Sequence, residues 1–156
     1  NPAAPPPPTN TPVPRADGCP GQHVRPLTTP TNTPEPNTPP GSYEIENEQN
    51  KDDCANIGVF GKVKEKGSDR PVQFVTIEVK GDNDKFKGPY TDKTDANGRY
   101  DIFITGADND DVDGVEFKAK VVGDGVESED TAEWTVSTDC GDEDSTQVYE
   151  INWNKK

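Results

Sequence analysis

Fourteen of the sixteen prolines in this chain fall within residues 1–40, while all eleven aromatic side chains lie between Tyr43 and Trp153. Proline fixes φ near −65° and has no backbone N–H to donate. A segment this dense in proline cannot form a helix or a central strand, and without aromatics it has little from which to build a core. The prolines therefore predict an extended, polyproline-II-like arm over residues 1–42, rising ~3.1 Å per residue. An acidic connector, 43–55, and a folded domain, 56–156, complete the expected organisation.

Charge follows the same division. The arm carries Arg15, Arg25, Asp17 and Glu35 and is formally neutral, so the whole net charge of −14 belongs to the remaining residues. The hydrophobic fraction of 28% is low against a globular norm of ~45–50%, and the arm, poorer still in apolar residues, lowers the average of a patterned domain. That domain is large enough for one core and too small for two. A surface this negative repels phosphates, which argues against nucleic acid as a partner. No apolar run approaches the ~18–20 residues of a membrane span, and no basic amphipathic helix suggests adhesion to lipid. The chain begins at Asn1 and contains no methionine, which is read as removal of an export signal and predicts a secreted or cell-surface protein.

Within the arm, Pro8-Thr9-Asn10-Thr11-Pro12-Val13-Pro14 recurs as Pro30-Thr31-Asn32-Thr33-Pro34-Glu35-Pro36. Such Thr/Pro runs resemble the linkers of exported bacterial proteins and suit O-glycosylation. Between the repeats lies an insert that a plain spacer has no use for, with Cys19, His23, Val24 and Leu27. Val13, Cys19, Val24 and Leu27 are the expected contact residues of an arm that docks on another subunit. Residues 22–29 could add to a sheet edge, the position to which Pro26 confines them.

From Asn56 onward the hydrophobic period is two. Ile57, Val59, Gly61 and Val63 share one phase, as do Val75, Ile77 and Val79, then Tyr100, Ile102 and Ile104, then Val115, Phe117, Ala119 and Val121. Ala132, Trp134 and Val136, then Tyr149, Ile151 and Trp153, continue the pattern, with a weaker strand around Phe86–Thr94. No helical stripe competes. About seven half-buried strands separated by Gly/Asp/Asn turns predict an all-β antiparallel sandwich.

The order of Gly61-Lys62-Val63, Arg70-Pro71-Val72 with Val75-Thr76-Ile77-Glu78-Val79, and Thr94-Asp95-Ala96-Asn97-Gly98-Arg99-Tyr100-Asp101-Ile102 resembles the carboxypeptidase-regulatory-like, transthyretin-like (prealbumin-like) family. The resemblance implies an Ig-like or transthyretin-like sandwich and mostly non-catalytic spacer, adhesion or stalk roles. It also implies that the first and last strands run side by side in parallel, which favours a Cys54–Cys140 disulfide. Cys19 is then left free, bonded to another chain, or paired in a different connectivity.

Catalysis finds little footing in these residues. The single histidine, His23, sits in the arm, a poor frame for a nucleophile and its base. Asn109-Asp110-Asp111-Val112-Asp113-Gly114 matches the opening of a calcium loop with Asn109, Asp111 and Asp113 as ligands. Its twelfth position is Lys120, where a bidentate glutamate belongs. No cofactor is otherwise expected. Trp134 and Trp153 fall on the core phase, whereas Phe60, Phe74, Phe86 and Phe103 lie off phase or in weak strands and are candidates for a docking surface.

These features predict an extracellular structural protein whose partners are copies of itself, joined through the arm into a filament or surface array. The alternative is a monomeric accessory or spacer module of a cell-surface protein that binds calcium or glycan.

Overall fold

A computed structural model describes residues 37–51, 53–140 and 146–156. They form nine strands: β1 (Gly41–Lys51), β2 (Asn56–Glu65), β3 (Thr76–Gly81), β4 (Tyr90–Lys93), β5 (Arg99–Gly106), β6 (Glu116–Val122), β7 (Val126–Ser128), β8 (Ala132–Thr135) and β9 (Val148–Lys155). One sheet has the order β5-β2-β9-β1-β7 and the other β4-β3-β6-β8. The apolar phases identified above turn inward from both sheets and form one core, with Ile57, Val75, Ile77, Phe117, Ile151 and Trp153 at or near zero exposure. The fold is an all-β sandwich.

The strands number nine instead of about seven. The five-stranded sheet is mixed: β2 runs parallel to β9, as expected for the strands of Ile57 and Ile151, and β1 runs parallel to β7, which departs from the antiparallel expectation. The missing strands had little apolar signal. Most of β1 lies in the segment read as a connector, and beyond Tyr43 and Ile45 its side chains are polar. Its ladder to β9 supplies the order instead, with an irregularity between Ile45 and Asn47. Strand β7 has only three residues.

The buried hydroxyls of Tyr100 and Tyr43 are paired within this frame, whereas the Trp134 indole N–H and the Asn154 Oδ1 are buried without a hydrogen-bond partner among the described residues. Tyr100 donates its hydroxyl to the Ile151 carbonyl at 2.8 Å and accepts the Trp153 indole N–H at 3.3 Å. Tyr43, fully buried, donates to the Pro39 carbonyl at 2.7 Å, and burial pushes its phenol up to about 12. Trp134 lies between Phe117 and Tyr149, with ring centroids 5.7 and 5.0 Å away, and this stack joins β6, β8 and β9 across the core.

The sandwich has two distinct ends. The start of β1, the 66–75 and 94–98 loops, the 123–125 turn and the end of β9 share one end. The β1–β2, β3–β4, β5–β6 and β8–β9 connections share the other.

Candidate assembly surface

Charge separates the two ends. Among the described residues, the loops of the second end carry Asp53, then Asp82 and Asp84, then Asp108, Asp110, Asp111 and Asp113, then Asp139, against only Lys85 and Lys87. The loops of the first end balance Asp69, Asp95 and Asp124 with Lys66, Arg70 and the terminal Lys156. The sandwich therefore has one strongly acidic pole and one neutral pole.

The acidic pole is cross-linked. Cys54 and Cys140 form a disulfide, 86 residues apart in sequence. Gln147, fully buried, accepts the Asp53 N–H at 2.9 Å and donates to the Asp139 carbonyl at 3.3 Å. The Ala55 N–H bonds the Asp53 side chain and, with Asn56, holds that carboxyl below its ordinary range. These links keep mutually repelling loops together.

The three residues of the calcium pattern are drawn into this same network. Asn109 caps a short 3-10 turn, accepting from the Asp111 N–H and donating to Thr105. Asp111 pairs with Lys85 at 2.7 Å, and Asp113 accepts the Thr138 N–H at 2.9 Å. The three side chains thus have separate protein partners, and among the described residues no group of three or more His, Cys, Asp or Glu is placed to hold a metal ion. The arm residues Val13, Cys19, Val24 and Leu27 lie outside the described residues.

The off-phase phenylalanines separate into different roles. Phe86 is buried in the core at 7% exposure, a correction to its expected place on a docking surface; at the β3–β4 connection its carbonyl accepts the Gly81 N–H and its own N–H bonds the Asn83 carbonyl, both at 3.1 Å. Phe60 and Phe103 do face outward, on the exposed side of the β5-β2-β9 sheet. Register places Phe103, Gly58 and Val148 in one row across the three strands and Asp101, Phe60 and Glu150 in the next. Gly58 stands in the middle of the first row, where a Cβ would meet the Ile102 carbonyl oxygen at 2.5 Å. Here lies a depression of about 310 Å³ walled by Phe60, Phe103 and Val148 and rimmed by Asp53 and Asp101. It lies toward the acidic pole. Phe103 is 60% exposed.

Strand β5 is also an edge of its sheet. Its N-terminal half is guarded: Asp95 accepts the Arg99 N–H and Asp92 the Asp101 N–H, both at 2.9 Å. Inward-turned carboxylates of this kind block further strand pairing. Phe103 comes after the guarded stretch.

Phe74 is the other large hydrophobic residue exposed among the described ones, at 43%. It belongs to the neutral pole, where its N–H bonds the Thr94 carbonyl at 3.0 Å. Its φ of +62° is the one positive value at a described non-glycine residue. A bulky side chain in that region costs ~1–3 kcal/mol, and such strain gathers at binding sites. The sequence pattern marked Phe74 as off phase, but its backbone conformation could not be read there.

The root of the arm is fixed at this same pole. Thr38, 4% exposed, accepts the Thr76 N–H on its Oγ1 at 2.9 Å. Close packing seals the contact: a side chain on Gly123, which has φ +155°, would meet the Thr38 Cβ at 2.7 Å. Among the described residues no helix is long and apolar enough to cross a membrane. No family model, no curated protein and no solved structure matches the chain.

Proposed function

We propose that this is an extracellular structural protein that self-assembles into a filament or surface array, the N-terminal arm of each subunit docking on a neighbour. The observation that carries this reading is polarity: the arm is rooted at the neutral pole, while the exposed aromatic depression lies toward the acidic one. Contacts between unlike ends are heterologous and produce open polymers when they do not close into a ring. Contacts between two acidic ends are disfavoured by like charge.

The arm suits the task. At the ~3.1 Å per residue of a fully extended proline-rich segment, a stretch of 36 residues would span ~110 Å, several times the ~33 Å length of a ten-residue strand. A preordered proline-rich segment also loses less entropy on docking than a flexible one. The disulfide across the acidic pole fits an exported, oxidising setting. The body is proposed to be a carboxypeptidase-regulatory-like or transthyretin-like sandwich, a reading supported by the parallel β2–β9 pairing and the Thr94–Ile102 turn.

Size-exclusion chromatography with light scattering tests the proposal. The full chain is expected to run as a ladder of multimers, and a chain lacking residues 1–36 as a folded monomer. A single 16.9 kDa species for the full chain at physiological salt would contradict it.

A further inference from the structure

We infer that Phe74 of one subunit seats in the depression between Phe60 and Phe103 of the next, forming a body-to-body contact that positions the docking arm. The inference rests on the self-assembly reading and specifies its interface.

Three observations carry it. Phe74 and Phe103 are the two large hydrophobics exposed among the described residues, and one is a projection while the other walls a hollow. Phe74 is held at φ +62°, a conformation that turns and presents a ring at the expense of backbone strain, and nothing in its own domain uses that ring as a core contact. The two features also sit at different poles. The Phe74 loop lies level with Val63, whose N–H bonds Gly98, and the depression centres on Gly58, five residues down the same strand. That is ~17 Å along the strand, beyond the reach of one side chain, so the ring can enter the depression only of another copy.

Charge and chain path select the same partner. The acidic rim of the depression, Asp53 and Asp101, would face a neutral pole whose Lys66 and Arg70 are paired with Glu44 and Glu65 of their own chain. A second acidic pole would be repelled. Thr38 bonds Thr76, two residues after Phe74. A neighbour that seats Phe74 therefore brings the root of its own 36-residue arm to the same receiving subunit.

The test uses full-length chains and two substitutions on opposite sides of the contact. Phe74→Gly removes the ring and relieves the strain, so its melting temperature is expected to equal or exceed that of the parent, while association weakens at least tenfold. Phe74→Asn, which also tolerates a positive φ, should behave alike. Phe103→Asp spoils the receiving side. Each variant alone should form shorter species than the parent, and an equimolar mixture should enrich mixed pairs over either variant alone, because one variant retains a usable ring and the other a usable depression. A parent chain that polymerises while Phe74→Gly and Phe74→Asn polymerise equally well would overturn this contact and leave arm-driven assembly standing. A parent chain that is monomeric would overturn both.

Discussion

Thr38 and Thr76 are joined by a side-chain to backbone hydrogen bond of 2.9 Å that ties the root of the N-terminal arm to the first residue of β3. The contact is closed over by Gly123, so Thr38 itself is held against the body.

Replacing Thr38 with valine keeps the shape and removes the acceptor. The Thr76 N–H is then left without its partner, at a cost of ~1–3 kcal/mol for a buried donor. Urea unfolding should show a lower midpoint with an unchanged slope. Assembly, followed by light scattering at a temperature where the variant remains folded, should weaken as well.

A second prediction concerns the core. The Tyr100 hydroxyl bridges the Trp153 indole and the Ile151 carbonyl, and burial raises its pKa well above the ordinary phenol range. Tyr100→Phe leaves both neighbours unsatisfied, and a loss of ~1–3 kcal/mol is expected in chemical denaturation. Gly61→Ala should be worse, because a Cβ there would lie 1.8 Å from the Ile151 carbonyl oxygen. Overpacking of a strand against backbone forces the strands apart.

The disulfide should matter more than its exposed position suggests. Closing an 86-residue loop is worth ~4–5 kcal/mol in the chain-entropy model. A Cys54→Ser/Cys140→Ser variant is expected to melt far below the parent. It should regain part of the difference in high salt, where repulsion among the aspartates of the acidic pole is screened.

The dependence on pH follows from the carboxylates. Backbone N–H bonds hold Asp53 and Asp95 low, Lys156 and Lys66 hold Glu44 low, and Asn152, Gln49 and Lys51 hold Glu150 low. A depressed folded-state pKa gives stability that is present above the unfolded value and is lost as pH falls through the folded one. The melting temperature should therefore hold steady from pH 7 to about 5 and drop below about 4, the ordinary carboxylate range. Scanning calorimetry across this range checks the sign.

Most of the core was legible in the sequence because a half-buried strand announces itself through alternation. Ile57, Val59 and Val63 of β2 and Tyr149, Ile151 and Trp153 of β9 all turned inward. Strand β1 was illegible because its order comes from a backbone ladder to β9, and Glu48 and Asn50 stand opposite Ile151 and Tyr149 without any apolar signal. The outward phase of Phe60 and Phe103 was readable. That Phe86 would fold inward was not, since it lies in a connection with no strand period to assign it a face. The charge poles were invisible for a different reason. The aspartates are scattered along the chain, and only the topology gathers four separate loops at one end.

Unlike ends of this sandwich are proposed to associate with the aid of the arm. Sedimentation velocity of the full chain over a range of concentration and salt tests it most directly. Self-assembling chains should give an open series of species that lengthens with concentration, and also with salt as repulsion between bodies of net charge −14 is screened. Removal of residues 1–36 should collapse the series. A single 16.9 kDa species at every concentration and salt, unchanged by that removal, would contradict it.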